Sequence, residues 1–358
     1  MLAGAELRIA IIAITRSGAR IGAKVRRGLS DTTLFVPFRY AGATEGATAY
    51  DGELKELIAS LWSEVDGFVC IMAAGIVVRL VAPHLQGKDV DPAVVVMDDA
   101  GSFAISLLSG HLGGANELAN RCALVIGARA VITTATDVNG LPSFDILARD
   151  EGWVIDDLSR VKVLNSLLLD DERIAVVDST GRVKIAFHGR GKLSFHETFV
   201  EALDAGAPGI LFVTNRQLPF RFSAGNLLLL RPKNLVLGIG CNSGTEEDEI
   251  GEVVGSVLKR QFLSPKSVFC IATAEAKRHE PGLVEYARGL HIPLVCFDSA
   301  KLNAVSFPSP PSVHAMAAIG AAGVAEPAAL LASEGGMLIM KKIKNGNVTL
   351  AIAEKMPD

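Results

Sequence analysis

The sequence lacks a long apolar run, a charge excess of either sign and any cysteine pattern. Its longest apolar stretch, Phe68 to Val78, contains Gly75 and stops at Arg79, short of the roughly 20 residues that cross a bilayer. Met1 to Leu7 carries Glu6 and no basic segment ahead of Ile9–Ile14, so no secretory leader is expected. Lys and Arg number 35 against 39 Asp and Glu, a net charge of −4. That balance excludes an electrostatic footprint for nucleic acid or an anionic membrane. The five cysteines form no C-x-x-C pair, and Cys70, Cys270 and Cys296 lie in apolar, strand-like runs. They read as small buried hydrophobes in a reducing, cytoplasmic setting. No zinc-ligand spacing, no G-x-x-x-x-G-K-[ST] loop and no G-x-S-x-G elbow occurs.

What is present is apolar material in short pieces. The 358 residues are 49% hydrophobic but only 6% aromatic, enough for two or three cores and too apolar for a disordered chain. Strands are expected at Arg8–Ile14, Thr32–Val36, Gly67–Met72, Ala93–Met97 and Ala130–Thr133. Helices at Ala19–Gly28, Gly52–Leu61, Ile76–Leu85 and Leu112–Ile126 alternate with them. That alternation predicts a Rossmann-like α/β domain with a largely parallel sheet over residues 1–139. From 140 to 231 the expected strands, among them Val183–Phe187, have few helices between them, which predicts a small α+β middle domain. Arg231 to Asn234 reads as a linker. A second α/β domain follows over 232–358, with a helix at Ala315–Ser333 and a terminal hairpin turning at Asn345-Gly346.

Several strand ends carry chemistry-bearing residues. Ser109-Gly110-His111-Leu112-Gly113-Gly114-Ala115-Asn116-Glu117 follows one expected strand and opens a helix. Its glycines allow a sharp turn, the helix start offers unpaired N–H groups to an anion, and His111 titrates near neutral pH. The bland alternative is an ordinary strand–helix turn. Gly75 with Arg79 forms a second glycine-to-helix junction, and Arg79 equally reads as a solvated helix residue. Asp98 and Asp99 read as a hairpin turn or as a source of a general base. Thr133, Thr134 and Asp137 follow another strand, where open α/β sheets bind ligands; a polar loop is the alternative. Gly238-Ile239-Gly240-Cys241-Asn242-Ser243-Gly244 misses the dinucleotide spacing, and the acidic Glu246-Glu247-Asp248 behind it would repel a pyrophosphate. Lys277 and Glu280 precede a helix with Pro281 at its start.

Taken in order, these segments resemble the CbiG family of cobalamin biosynthesis, the cobalt-precorrin-5A hydrolases. The resemblance runs through Gly75–Leu80, Asp91–Val96, Leu107–Ala119, Ile132–Asp137, Gly238–Cys241, Lys277 with Glu280, and Val348–Ala353. Asn242-Ser243 departs from it, because family members often carry basic residues there. The resemblance implies opening of a ring-A acetate δ-lactone on a cobalt-bearing tetrapyrrole of the oxygen-independent vitamin B12 route. C20 and its methyl would leave as acetaldehyde, giving cobalt-precorrin-5B. Cobalt would arrive within the substrate, with no cofactor and no protein metal site.

Under that chemistry His111 is the first candidate base, and the N–H groups of Gly113 and Gly114 are candidate donors to the oxyanion. Asp98, Asp99, Asp137 and Glu117 are candidates for the second proton. Gly75, Arg79, Ser109, Gly110, Gly113, Gly114, Asn116, Thr133, Thr134, Gly238, Gly240, Lys277 and Glu280 are the expected substrate contacts. Homodimerisation and transient contact with neighbouring pathway enzymes stay open. The segment from Leu235 onward also resembles the stand-alone protein CobE, so corrinoid binding and hand-over without chemistry is the competing reading. A Rossmann oxidoreductase is the third and lacks its fingerprint.

Overall fold

The computed structural model describes residues 8–87, 90–219 and 225–356. The chain divides into two compact units, one ending at Ile146 and one beginning at Leu147. Among the described residues no helix is long and apolar enough to cross a membrane.

The first unit is built on a seven-stranded sheet. Its strands are β1 (Ile9–Ala13), β2 (Thr32–Pro37), β3 (Ala47–Tyr50), β4 (Gly67–Ile71), β5 (Ala93–Met97), β6 (Phe103–Leu108) and β7 (Arg129–Val131), in the order β3-β2-β1-β4-β5-β6-β7. The first five are parallel; β6 runs antiparallel to β5, and β7 follows β6. Every residue of β1, β4 and β5 is buried, which is why these strands read as unbroken apolar runs. The two faces still alternate. Ile9, Ile11, Val69, Ile71 and Val95 pack with α1 (Arg16–Gly28) and α5 (Ala115–Ile126). Ala10, Ile12, Phe68, Cys70, Val94 and Val96 pack with α3 (Leu54–Leu61) and α4 (Ala74–Val81). A one-turn helix, α2 (Phe38–Ala41), joins β2 to β3. The four-residue helix α6 (Ala135–Val138) and the seven-residue helix α7 (Phe144–Asp150) follow β7.

The second unit holds two sheets. The middle one orders β8 (Val154–Ile155), β9 (Arg173–Val177), β10 (Lys192–His196), β11 (Gly209–Val213) and β12 (Leu227–Arg231) as β10-β9-β11-β12-β8. All but the short β8 are parallel. The expected strand at Val183–Phe187 is instead helix α9 (Arg182–Phe187), following α8 (Leu158–Leu169) and preceding α10 (Phe199–Asp204). Val183 and Phe187, one helical turn apart, are the two residues that α9 buries, and Gly181 begins it in the left-handed conformation. Burial of that one stripe overrides the β-branched composition.

Arg231 is no solvated linker residue. It closes β12 at 3% exposure, its Nη2 donating to Asp156 at 3.0 Å while Lys266 pairs with the same carboxylate at 2.9 Å. Asn215 donates to Asn234 at 3.0 Å and to Glu354 at 2.8 Å. These contacts tie the middle sheet to the last one. That sheet orders β13 (Leu235–Cys241), β14 (Val268–Ala274), β15 (Leu294–Phe297), β16 (Met337–Asn345) and β17 (Val348–Glu354) as β15-β14-β13-β17-β16. The β16–β17 hairpin turns at Asn345-Gly346 as expected. The helices are α11 (Glu247–Arg260), α12 (Pro281–Gly289), α13 (Ser299–Ala304), α14 (Val313–Ile319) and α15 (Ala325–Ala332). The single helix expected over Ala315–Ser333 is thus two, because Gly320 stops α14 at φ 68°.

Candidate active site

Strand direction sorts the candidate residues of the first unit. Val94 pairs with Leu108 and Met97 with Ala104, so β6 returns to the edge where β5 began. Asp98 and Asp99 therefore sit at one edge of the sheet. The loop after Leu108 sits at the other, about 15 Å away along the strands. Gly75 and Arg79 share the edge of Asp98, since the N–H of Met72 bonds to the carbonyl of Met97. Thr133 and Thr134 follow β7 and lie at the His111 edge.

At the Asp98 edge the polar groups satisfy one another. Asp98 accepts from the N–H of Phe103 at 2.7 Å and of Ala100 at 3.3 Å. Burial alone would raise its pKa, but these backbone bonds bring it below the ordinary carboxylate range. Asp99 accepts from the Thr15 hydroxyl at the start of α1, so the chain's own carboxylate occupies the place where a Rossmann fold would take a phosphate. Arg79 turns back to donate to the Gly75 carbonyl at 2.8 Å.

At the other edge, helix α5 begins at Ala115 rather than at Leu112. Ser109 to Gly114 form a closed loop, with the N–H of Ala115 bonded to the Ser109 carbonyl and that of Asn116 to the Gly110 carbonyl, both at 3.0 Å. Ser109 takes φ 56° and Gly114 φ 83°. A Cβ on Gly113 would lie 2.3 Å from that of Ser109, so only glycine closes this turn. The Gly114 N–H is bonded to the His111 carbonyl at 2.9 Å. It is therefore engaged inside the loop rather than offered to an oxyanion.

The loop presents His111 to α6 and α7. His111 Nε2 lies 2.8 Å from Asp137 Oδ2 and 3.1 Å from Thr136 Oγ1. Its Nδ1 lies 3.3 Å from Asp145 Oδ2. Asn116 donates to both Thr134 Oγ1 and Asp137 Oδ2 at 3.0 Å. The Asn116 Oδ1 is buried without a partner, and a Cβ on Gly110 would come within 2.8 Å of it. Asp145 is almost wholly buried, whereas the Asp137 side chain is 41% exposed, so the cluster opens to solvent through Asp137. The Asp145 hydrogen bond raises the His111 pKa; burial opposes it, and Asp137 adds to the rise. The imidazole therefore holds its proton above its usual range, which suits it to donate a proton rather than to accept one. Glu117 is exposed on the first turn of α5.

Thr136 lies within the singled-out Thr133–Asp137 segment, but Asp145 was not among the residues singled out in the sequence. Asp145 stands in the first turn of a helix after Pro142-Ser143, a position whose local signal is helix-end electrostatics rather than chemistry. Among the described residues no group of three or more His, Cys, Asp or Glu side chains is arranged to hold a metal ion.

In the second unit, Lys277 Nζ lies 2.8 Å from Glu280 Oε2 and 3.0 Å from Ser243 Oγ. The N–H of Gly244 donates to Glu280 Oε1 at 2.6 Å. Burial pushes the nearby Cys241 thiol up to about 11, which leaves it unreactive near neutrality. Gly238 lines no cleft: a Cβ there would stand 1.9 Å from the Ala325 carbonyl, so the strand needs glycine to admit α15. Gly240 faces Val324 at 3.5 Å by the same measure.

Three family descriptions match the chain in order. They are cobalamin synthesis G N-terminal over residues 56–137, cobalamin biosynthesis central region over 142–232, and cobalamin synthesis G C-terminus over 235–353. A cobalt-precorrin-5A hydrolase of Priestia megaterium is 36% identical over 96% of this chain and 94% of its own. Its counterpart in Salmonella typhimurium is 31% identical over 86% of this chain and 87% of its own. A crystal structure described as a cobalamin biosynthesis protein G homologue from Sulfolobus solfataricus covers 98% of both chains at 23% identity and a TM-score of 0.36.

Proposed function

This chain belongs to the CbiG family and is a hydrolase of cobalamin biosynthesis; on that premise we propose that it hydrolyses cobalt-precorrin-5A at the His111 edge of the first sheet. The observation that carries this reading is one histidine held between a buried and a solvent-facing carboxylate on a glycine-closed loop. Water attacks the lactone carbonyl and gives its proton to the Asp137 carboxylate. The ring C–O bond breaks, and the departing alkoxide takes a proton from the His111 imidazolium. The freed C20 hydroxyl then loses its proton to the cluster as the C–C bond to C20 breaks. Acetaldehyde leaves, and the electron pair passes into the conjugated macrocycle, giving cobalt-precorrin-5B. Cobalt belongs to the substrate, and no redox cofactor takes part. The five free thiols fit a cytoplasmic setting.

The test is an anaerobic assay of the purified protein with cobalt-precorrin-5A and an acetaldehyde trap. His111→Ala should lower turnover about 10²–10⁴-fold with substrate affinity within a few-fold. Absence of acetaldehyde from the parent protein overturns the hydrolase reading in favour of binding and hand-over; near-parental turnover in folded His111→Ala removes the histidine from the mechanism.

A further inference from the structure

A second polar site lies on the first unit, at the opposite end of the sheet from β6 and β7. The outer turns of α1 face the segment between α2 and β3 across a cavity of about 310 Å³ lined by Arg20, Lys24, Arg26, Arg27, Thr44 and Glu45 among others. Four cations thus face one carboxylate in a chain whose net charge is −4. Among the described residues none of the four makes an ion pair or donates a side-chain hydrogen bond.

Arg26 distinguishes this cavity from an ordinary solvated helix face. Its Nε is buried and has no acceptor, and a buried donor without a partner is rare in a native fold. Its guanidinium lies against Gly46, where a Cβ would come 1.9 Å from Nη2. Gly46, at φ 67°, therefore lets the fork pack down while the pocket stays open. A planar guanidinium flanked by a lysine and two further arginines matches the oxygens of a phosphate or of clustered carboxylates. The volume sits at the lower end of the range for small-ligand sites.

We propose that this cavity is a binding site for a multiply charged oxyanion, separate from the His111 cluster. The sheet order places β2 four strand spacings from β6, roughly 19 Å. The proposal stands on the unpaired cations alone; only its assignment to the rim carboxylates of a tetrapyrrole rests on the function proposed above.

The test is isothermal titration calorimetry on the full chain at low salt, with inorganic phosphate, citrate and the polycarboxylated corrinoid cobyrinic acid as separate probes. At least one probe should bind with one-to-one stoichiometry and weaken as salt rises. Arg26→Leu should weaken it at least about tenfold, and the exposed change Lys24→Gln about threefold or more. His111→Ala should leave phosphate binding within about twofold, since the site is separate. Cobyrinic acid binding tightest assigns the pocket to substrate carboxylates, and phosphate binding tightest assigns it to a phosphorylated ligand. The proposal is overturned if no probe binds at millimolar concentration, or if Arg26→Leu and Lys24→Gln both bind as the parent does. Binding lost in His111→Ala as well overturns its separateness. Cation-dependent phosphate binding in a protein without hydrolase activity would leave the pocket standing and remove only the functional reading.

Discussion

Two strand-to-helix junctions of this chain, β6 to α5 and β14 to α12, each carry a cluster of polar side chains, and the fold uses them in opposite ways. Around Lys277 the polar groups close on one another. Glu280 takes both the Gly244 N–H and the Lys277 ammonium, and its side chain is only 9% exposed. Burial opposes ionisation there, but Lys277 and the Gly244 N–H outweigh it and hold the pKa below the usual range. Around His111 the satisfaction is incomplete. Asp137 faces water, and Asn116 keeps a buried acceptor without a donor. A self-satisfied cluster stabilises a turn. A cluster with one open carboxylate and one unfilled acceptor keeps polar capacity for a ligand.

The largest expected effect that tests this contrast is at Asp145. Asp145→Asn keeps the shape but removes the buried negative charge behind the imidazolium. Turnover should fall on the order of 10²–10⁴-fold, as when a buried aspartate behind a catalytic histidine is lost, with KM nearly unchanged. NMR titration should show the His111 midpoint moving down in the same variant. An unchanged midpoint would break the assigned pairing.

Glu280→Gln should act on stability instead. Loss of a charge-assisted bond to a mostly buried lysine should cost about 1.5–3 kcal/mol in denaturant unfolding. Turnover per folded molecule should stay within a few-fold. A turnover collapse without a stability loss would mean that the second turn does chemistry after all.

The pH dependence has a definite sign. Because His111 has a raised folded-state pKa, its contribution to stability is full below the ordinary imidazole value of about 6.5. That contribution is lost as pH rises through the folded value, at up to about 1.4 kcal/mol per pH unit for one proton. Turnover should fall over the same window as the donor deprotonates. His111→Ala should flatten that slope in urea midpoints measured from neutral to alkaline pH.

The smallest effect belongs to the far edge of the sheet. Asp99→Asn should change turnover less than about threefold, since Asp99 accepts from the hydroxyl of Thr15, the N-cap of α1, rather than facing the cluster; its measure is a stability loss of about 0.5–1.5 kcal/mol for the weakened hydrogen bond. A hundredfold loss of turnover in that variant would unite the two edges into one site.

Much of this architecture was legible along the chain. Apolar runs such as Ile9–Ala13 and Ala93–Met97 marked buried parallel strands because both faces of the sheet are covered. The Asn345-Gly346 turn marked its hairpin, and Ser109–Asn116 was recognisable as a glycine-bearing turn into a helix because its glycines are properties of neighbouring residues. The Val183–Phe187 helix was not legible, because β-branched residues suit either element until burial selects a face. The sequence alone therefore determined the local pieces and the family motif around His111. Tertiary structure decided which pieces meet. The antiparallel return of β6 carried His111 away from Asp98 and Asp99, and the approach of α7 brought Asp145 to His111 across 34 residues of chain. Strand direction and helix docking depend on hydrogen bonds and burial between distant segments, and no local pattern encodes them.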